Sequence, residues 1–446
     1  MTAFLFPSFL RRWRPVLALL GGLALFAPVM AFAATPVPPP PGRGLFMDLV
    51  ATVRDSKVRV SFYQSTRFWQ SPTGKAKDPK LVLRIYRKEV PSLVFGIDYE
   101  EILNDLRPVA ADLIWNGPLP AINERKYEFT DEHVQPGHTY VYWVSSDQGD
   151  APTGPKAARV RDPQTFWPQD ETERRMAALA ARYPQLVSES EIGRTVLGRP
   201  IHALRIGNRE RCIALVGAVH AGESGPELIV PALERILAEH PEVLREVGIV
   251  AVPTVNIDQR QRLAEGYPYY LRKNAAGVDI NRNFAALWGE VSYAYGLISA
   301  DPEAATYFGP RPVSEPEDVA ITALVAQTKP LALFSFHCVA ALTGTDFVRS
   351  TASAGDAAYT QKCEDVAKVY VEAAAGPTPG PHSRLFCTGG SLPTLMWKEY
   401  GAPAFDLEGT ELAPFGDMPT AEQMVRFRAM HARGILATLR FVAQKP

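Results

Sequence analysis

The sequence predicts two folded parts, a small all-β sandwich over residues 43–162 and an α/β domain over residues 163–446. Short segments that alternate between apolar and polar residues fill the first part, and they indicate half-buried antiparallel strands such as Tyr140–Val144. Beyond the proline-flanked joint Asp162–Pro168, apolar strands alternate with helical patterns. This alternation is typical of an α/β domain, and we expect a mixed, mostly parallel central sheet flanked by helices.

The amino terminus has the pattern of a signal peptide over residues 1–33. A basic start precedes the apolar stretch Val16–Phe32, and Ala31-Phe32-Ala33 supplies a cleavage signal. We therefore expect an exported chain, periplasmic or secreted, with no membrane span after cleavage. An uncleaved membrane anchor is the alternative, because the apolar stretch is close to spanning length. Residues 34–42 form a proline-rich linker.

The composition is that of an ordinary globular protein, 46% hydrophobic and 21% charged, with a formal net charge of -1. A charge so close to zero argues against a nucleic-acid partner, because nucleic-acid binding needs a basic surface. The four cysteines are too few for a disulfide scaffold. A single Cys363–Cys387 bridge stays open as an alternative in an exported chain.

A candidate metal site begins at the apolar strand Ile213–Val219, which runs into a turn and then a helix. Ser224 and Glu227 have the spacing of a capping box, so we expect the helix to begin there. His220 and Glu223 fall on the turn, at the carboxyl end of the strand, where an imidazole and a carboxylate can bind one Zn²⁺. On its own this motif also fits a surface histidine beside a glutamate that offsets the helix dipole.

Two further strands supply the missing parts of a hydrolytic zinc site. The apolar strand Leu333–Phe336 ends at His337, which would complete a His₂Glu ligand set with one position open for water. The strand Ala402–Glu408 places Asp406 and Glu408 on one face, and Glu408, nearest the carboxyl end, is the expected general base. The alternatives are a satisfied buried histidine and an edge strand with solvated acids.

Basic and amide side chains for the substrate cluster in the stretch Leu271–Phe284. Arg272 suits an oxyanion that develops on a carbonyl, and Asn281 with Arg282 suits the capture of a carboxylate. An ordinary polar loop with asparagine and glycine as turn residues is the alternative.

Together these stretches resemble the zinc metallocarboxypeptidases of the carboxypeptidase A type, from about Pro168 to Phe441. The resemblance implies a carboxypeptidase-like fold and one Zn²⁺ per chain. It also implies that a peptide or peptidoglycan-peptide substrate is bound through its C-terminal carboxylate. The ligands would be His220, Glu223 and His337; Glu408 and Arg272 would be catalytic; Asn281 and Arg282 would bind substrate.

The chain departs from the family pattern in two places. No tyrosine stands shortly before Gly389-Gly390-Ser391, where the family has one that closes over the substrate, and Gly222 replaces an arginine of the ligand turn. These departures leave the specificity open. We expect Asp406, if it lines the substrate pocket, to favour a basic terminal side chain or the free amine of diaminopimelate.

The stretch Val134–Ser146 resembles the late-strand segment of fibronectin type III domains, with Tyr140 at the position of the corner tyrosine. This resemblance implies a spacer or a surface for a protein or cell-surface partner. For the whole chain we expect a zinc-dependent exopeptidase. The alternatives are an N-acyl amino acid deacylase or amidase of the related type, and a non-catalytic cell-surface binding protein on the same scaffold.

Overall fold

The structure, a computed structural model, describes residues 44–65, 81–91, 103–123, 125–290, 298–338, 342, 346–408 and 419–445. The predicted signal peptide and the proline-rich linker lie outside these residues. None of the helices that the structure describes is long and apolar enough to cross a membrane.

The amino-terminal part, which we call the β-domain, consists of antiparallel strands. They are β1 (Phe46–Arg54), β2 (Lys57–Gln64), β3 (Leu83–Val90), β4 (Leu113–Gly117), β5 (Lys126–Asp131), β6 (Thr139–Ser146) and β7 (Thr153–Arg159). They form two small sheets, β1-β2-β5 and β4-β3-β6-β7, whose buried side chains share one hydrophobic cluster. Within it, the Tyr140 hydroxyl accepts a hydrogen bond of 3.0 Å from the Gln135 backbone N–H. The all-β character agrees with the prediction, whereas a sandwich of the fibronectin type III kind stays a prediction.

Strand β6 is buried along its whole length, and the prediction of a half-buried strand is wrong there. One face of β6 joins the cluster that the two sheets share. The other face, with Val141 and Trp143, packs with Tyr86 and Leu103 of the same domain and with Tyr269 of the α/β domain. The alternation of the sequence showed the first face but carried no sign that the other face is covered as well.

The α/β domain is built on an eight-stranded sheet. Its strands are β8 (Val187–Arg194), β9 (Pro200–Ile206), β10 (Cys212–Gly217), β11 (Gly248–Val252), β12 (Leu333–Phe336), β13 (Phe347–Ser350), β14 (Arg384–Cys387) and β15 (Ala404–Leu407). Their order across the sheet is β14-β13-β15-β12-β10-β11-β9-β8. The run β15-β12-β10-β11 and the pair β14-β13 are parallel, whereas β13-β15 and the edge β11-β9-β8 are antiparallel. The predicted mixed sheet is confirmed.

Helices cover both faces of this sheet. They are α1 (Gln169–Arg182), α2 (Gly225–Glu239), α3 (Ile257–Ala264), α4 (Pro316–Thr328), α5 (Ala357–Ala375), α6 (Leu392–Tyr400) and α7 (Ala421–Ala443). Alternate residues of β10 point into two separate hydrophobic clusters, Ile213 and Leu215 into one and Ala214 and Val216 into the other. The central strands therefore read as continuous apolar runs because both of their faces are buried.

One local expectation is wrong. Ser224 precedes α2, but its side chain makes no capping hydrogen bond. Glu227 does not turn back to Ser224, because it accepts a hydrogen bond from the Trp167 backbone N–H and forms a buried ion pair with Arg260. The four cysteines are free thiols, so the alternative of a Cys363–Cys387 bridge is excluded.

Candidate metal centre

Three parallel strands bring the predicted site residues to one edge of the sheet. Strands β10, β12 and β15 are neighbours, and their final residues stand opposite one another in register. His220 lies on the turn after β10, whereas His337 and Glu408 directly follow β12 and β15. Because the carboxyl ends of parallel strands form a common rim, residues distant in sequence meet there.

Two imidazoles and one carboxylate form a compact triangle at this rim. His220 Nδ1 lies 3.1 Å from Glu223 Oε1 and 3.1 Å from His337 Nδ1, and His337 Nδ1 lies 3.0 Å from Glu223 Oε2. All three side chains are buried. Among the described residues, these three are the one group of histidine, cysteine or acidic side chains that converges closely enough to hold a metal ion. The two separately predicted ligand segments therefore meet.

The far side of each imidazole faces a carboxylate. His220 Nε2 lies 3.1 Å from Asp279 Oδ1, and His337 Nε2 lies 3.2 Å from Asp406 Oδ1 and 3.0 Å from Ser335 Oγ. A carboxylate can only accept, so Asp279 and Asp406 can each take the proton of the Nε2 that faces them. When each ring carries its proton on Nε2, both Nδ1 atoms present a lone pair to a metal beside the Glu223 carboxylate.

This donor set fits a zinc ion. Glu223 Oε2 is buried and accepts no hydrogen bond, which leaves an orphaned anionic oxygen beside two imidazole lone pairs. Imidazole and carboxylate in a His₂Glu arrangement are the ligands of a catalytic zinc site. A cation between the three groups would satisfy all of them at once.

The electrostatic field of the centre favours positive charge. Burial acts to lower the pKa of His337, but Asp406 and Glu223 outweigh it and hold that pKa well above its usual value. Burial acts to raise the pKa of Glu223, but His220 and His337 outweigh it, so this pKa lies below the ordinary range of a glutamate. The Glu223 carboxylate is therefore ionised and available to a metal.

Tyr270 was not predicted from the sequence, and it contacts a ligand directly. Its hydroxyl donates a hydrogen bond of 2.8 Å to Glu223 Oε1. Burial, followed by the charge of Glu223, raises the pKa of Tyr270 well above its usual value, so the hydroxyl keeps its proton. Tyr270 thus holds one oxygen of the ligand carboxylate.

Glu408 stands beside the triangle without belonging to it. Its backbone N–H donates a hydrogen bond of 2.9 Å to the Asp346 carbonyl, which fixes the chain where β15 ends. Burial raises the pKa of Glu408, while His337 opposes this shift and Glu223 adds to it. A raised pKa brings a carboxylate closer to neutral pH, where it can accept and return a proton.

Arg272 is tied to the same network. Its Nε donates a hydrogen bond of 2.8 Å to Asp279 Oδ2, and Asp279 in turn orients His220. The Arg272 side chain keeps 15% of its surface exposed, whereas Asp279 is fully buried. Asp279 thus connects His220 to the Arg272 guanidinium at the edge of the site.

Asp406 and Asn281 lie behind the ligands, and a contact between Asp406 and substrate is not supported. Asp406 Oδ2 accepts a hydrogen bond of 2.8 Å from Asn281 Nδ2, and its other oxygen faces His337. The carbonyl oxygen of the Asn281 amide accepts from the Leu392 backbone N–H at 3.0 Å. Both ends of the Asn281 amide are therefore engaged within the protein, whereas the role of Arg282 stays a prediction.

A sequence pattern marks Asp279 as a site residue. It lies between the apolar residues Val278 and Ile280, inside the stretch that carries Arg272, Asn281 and Arg282, and all three residues of this triplet are buried. An acid embedded in apolar sequence and fully buried needs a partner. Ser335 and Tyr270 offered no comparable signal, because a hydroxyl in a strand or loop has many neutral explanations.

A sequence model described as zinc carboxypeptidase matches residues 172–382. Over these residues the chain is similar to the zinc carboxypeptidase family. It spans the three ligands and Arg272, Asn281 and Arg282, whereas Asp406 and Glu408 lie beyond it. The assignment of Asp406 and Glu408 to the site therefore rests on the structure and on the sequence pattern.

Curated relatives cover part of the chain. Murein peptide amidase A of Escherichia coli (strain K12) is 31% identical over 150 residues, which is 32% of this chain and 57% of that protein. Carboxypeptidase O of Bos taurus is 25% identical over 243 residues, 48% of this chain and 56% of that protein. The chain thus spans just over half the length of these relatives.

Solved structures support the fold. Carboxypeptidase A from Helicoverpa armigera superposes with a TM-score of 0.52 at 16% identity, covering 64% of this chain and 76% of that one. Bovine thrombin-activatable fibrinolysis inhibitor gives a TM-score of 0.51 at 16% identity, covering 64% and 99%. The α/β domain therefore has the carboxypeptidase-like fold.

Proposed function

We propose that this chain is a zinc-dependent exopeptidase that hydrolyses the C-terminal amide bond of peptides. The observation that carries the proposal is the convergence of His220 Nδ1, His337 Nδ1 and the Glu223 carboxylate at one rim, with Glu408 beside them. When bound there, Zn²⁺ supplies a Lewis acid that polarises the scissile carbonyl and brings the pKa of the attacking water toward about 7.

Glu408 is the general base and then the general acid. Its carboxylate accepts the proton of the attacking water and delivers it to the nitrogen of the leaving amine. The raised pKa of Glu408 suits both steps, because the group must give up its proton as readily as it takes it. Its separation from the ligand triangle leaves it available for this transfer.

Two arginines handle the negative charges of the reaction. Arg272, held by Asp279 and partly exposed, stabilises the oxyanion that develops on the carbonyl. Arg282 binds the terminal carboxylate of the substrate. Asn281 acts through Asp406, whose carboxylate keeps His337 in its orientation.

Peptides of the bacterial cell wall are the substrate class that we favour. The similarity to murein peptide amidase A supports it, and the predicted signal peptide would carry the chain to the compartment where such peptides occur. An amidase or N-acyl amino acid deacylase of the related type is the second candidate, and the same relative favours it. No comparison supports a separate partner for the β-domain.

Matched peptides test the proposal. Purified zinc-loaded protein is incubated with peptides that end in Lys, Leu, Glu or diaminopimelate, each with a free and an amidated C-terminus. We expect release of the terminal residue from the free forms and at least a tenfold slower reaction of the amidated forms, since a bidentate contact to the carboxylate is lost. Equal cleavage of both forms would refute the exopeptidase, and faster hydrolysis of N-acyl amino acids would favour the deacylase.

A further inference from the structure

The β-domain binds the backbone at the end of α3 and in the turn that follows it, residues 263–269, which we call the interface loop. The Val53 backbone N–H donates a hydrogen bond of 2.8 Å to the Glu265 carbonyl. The Arg159 backbone N–H donates one of 2.9 Å to the Gly266 carbonyl. Because a loop with unpaired backbone groups is free to move, these bonds restrain it.

Two side-chain contacts strengthen the restraint. The Arg161 guanidinium, which follows the last strand of the β-domain, donates to the carbonyls of Leu263 and Tyr267, the latter at 3.0 Å. Tyr269 packs in a cluster with Val141 and other buried residues of the β-domain. The interface loop is therefore held at both of its ends.

The interface loop continues without a break into the metal centre. Tyr270, the next residue, donates its hydroxyl to Glu223 Oε1 at 2.8 Å. The Leu271 carbonyl accepts a hydrogen bond of 3.2 Å from the Ala221 backbone N–H, on the ligand turn. Arg272 follows and binds the carboxylate that orients His220. Few residues separate the contact with the β-domain from the contacts with the ligands.

The joint between the domains makes a second connection to the same turn. The Phe166 ring contacts two guanidinium groups, with Arg161 Cζ 5.0 Å and Arg260 Cζ 4.0 Å from its centre. Arg260 Nη1 donates to the carbonyls of Ala221 and Glu223 at 3.0 and 2.8 Å. Arg260 thus connects the backbone of the ligand turn to the joint residue Phe166.

We propose that the β-domain positions the metal ligand Glu223, acting through the interface loop and the hydroxyl of Tyr270. Arg161 and Tyr270 are positioning residues, because neither supplies a ligand atom and both act through Glu223. This inference rests on the proposed zinc site, and it assigns the β-domain a role inside the chain. Ligands that are held in place before the metal arrives bind it more tightly.

The first test uses the full chain and measures zinc affinity by competition with a chromophoric chelator. Tyr270→Phe removes one hydroxyl from Glu223, and Arg161→Met removes the donors to the interface loop without changing the loop itself. We expect each change to weaken zinc binding by about 10–100-fold, as for other groups that orient ligands. In the double variant the losses should be less than additive, because both changes act through one contact.

A pair of glycine variants separates this role from a general loss of stability. Gly266 has a φ of +100°, and a Cβ there would come within 2.7 Å of the Val53 side chain. Gly149 has a φ of +82° in a turn of the β-domain, and a Cβ there would meet nothing within 4 Å. Both alanine variants carry the strain of a positive φ, but Gly266→Ala alone pushes the β-domain from the interface loop.

We therefore expect Gly266→Ala to lose zinc affinity and Gly149→Ala to keep the affinity of the wild type. Equal affinities of these two variants would overturn the inference, and so would fully additive losses for Arg161→Met and Tyr270→Phe. A wild-type chain that binds zinc but releases no terminal residue would refute the proposed exopeptidase. The zinc affinities of the variants would still test the positioning role of the β-domain.

Discussion

At the residue scale, a carboxylate contacts the far side of the ring of each histidine in the candidate metal site. Asp279 holds His220 and Asp406 holds His337. This arrangement fixes the direction of each ring before a metal is present. Asp279 and Asp406 therefore hold the two imidazoles in an orientation that suits a bound cation.

Glu408 allows the sharpest test of a single side chain. Glu408→Gln keeps the shape but cannot accept a proton, so we expect kcat/KM on a peptide substrate to fall by about 10²–10⁴-fold. The zinc content should not change, because Glu408 is not one of the converging ligands. Glu399→Gln, an exposed change on α6, is the matched control. Activity within tenfold of the wild type would remove Glu408 from the mechanism.

The sequence located the candidate site residues better than their hydrogen-bond partners. His220, His337 and Glu408 each follow an apolar strand, and strand ends share a rim in any parallel sheet. The partner of a buried side chain depends on tertiary packing, which no local pattern encodes. Asp406 illustrates the limit, because its position next to the site was predictable whereas its direction, toward His337, was not.

At the element scale, a buried ion pair supports the ligand turn and the start of α2. Arg260 and Glu227 are both fully buried, and Arg260 also binds carbonyls of the turn. Removing one partner leaves an uncompensated buried group. This pair, and not a capping box, fixes the beginning of the helix.

We expect Glu227→Gln to lower the free energy of unfolding by about 3–5 kcal/mol. The exposed pair of Arg235 and Glu239 provides the control, since Glu239→Gln at a solvent-exposed bridge should cost no more than about 1 kcal/mol. Urea denaturation of the three proteins measures the difference. Equal small losses would show that the buried pair contributes no more than a surface bridge.

A second buried acid lies in the first turn of α4. Asp318 is fully buried, and neither of its carboxylate oxygens has a hydrogen-bond partner. Burial, followed by the charges of Glu317 and Glu315, raises the pKa of Asp318 well above its usual value. The unfolded chain therefore releases this proton at a lower pH than the folded one, and the folded protein loses stability as the pH rises between the two pKa values.

Asp318→Asn removes this loss. We expect the variant to be more stable than the wild type at pH 8. The gain should be smaller at pH 5, where the wild-type carboxyl is closer to its protonated form. Each unit of difference between the folded and unfolded pKa corresponds to about 1.4 kcal/mol. Asp170→Asn, at an exposed first-turn aspartate of α1, is the control and should show no such gain. Urea denaturation at both pH values gives the comparison. A variant less stable than wild type by the same amount at both would contradict the account.

Secondary structure was predictable where an apolar run or a turn signal marked the element. The patterns located the start of α2 and the strands β10, β12 and β15. The strands β13 and β14 and the helix α6 were not predicted. Pairing with the rest of the sheet defines β13 and β14, and no local pattern shows such pairing.

At the scale of the whole molecule, the two parts of the chain depend on one another. Tyr269 of the interface loop packs against one face of β6, and the loop leads on to Tyr270 and the ligand turn. A sequence pattern could predict each domain separately, because each has its own core. The contact between them could not be predicted, since it is made largely by backbone groups.

The central claim is that His220, Glu223 and His337 hold one zinc ion. Crystals of the full chain grown with zinc, measured on both sides of the zinc absorption edge, test it most directly. We predict one anomalous peak per chain, about 2.0–2.2 Å from the two Nδ1 atoms and from a carboxylate oxygen of Glu223. It should be absent from crystals of His337→Ala. A wild-type map with no peak at that position, or with zinc bound elsewhere, would contradict the account.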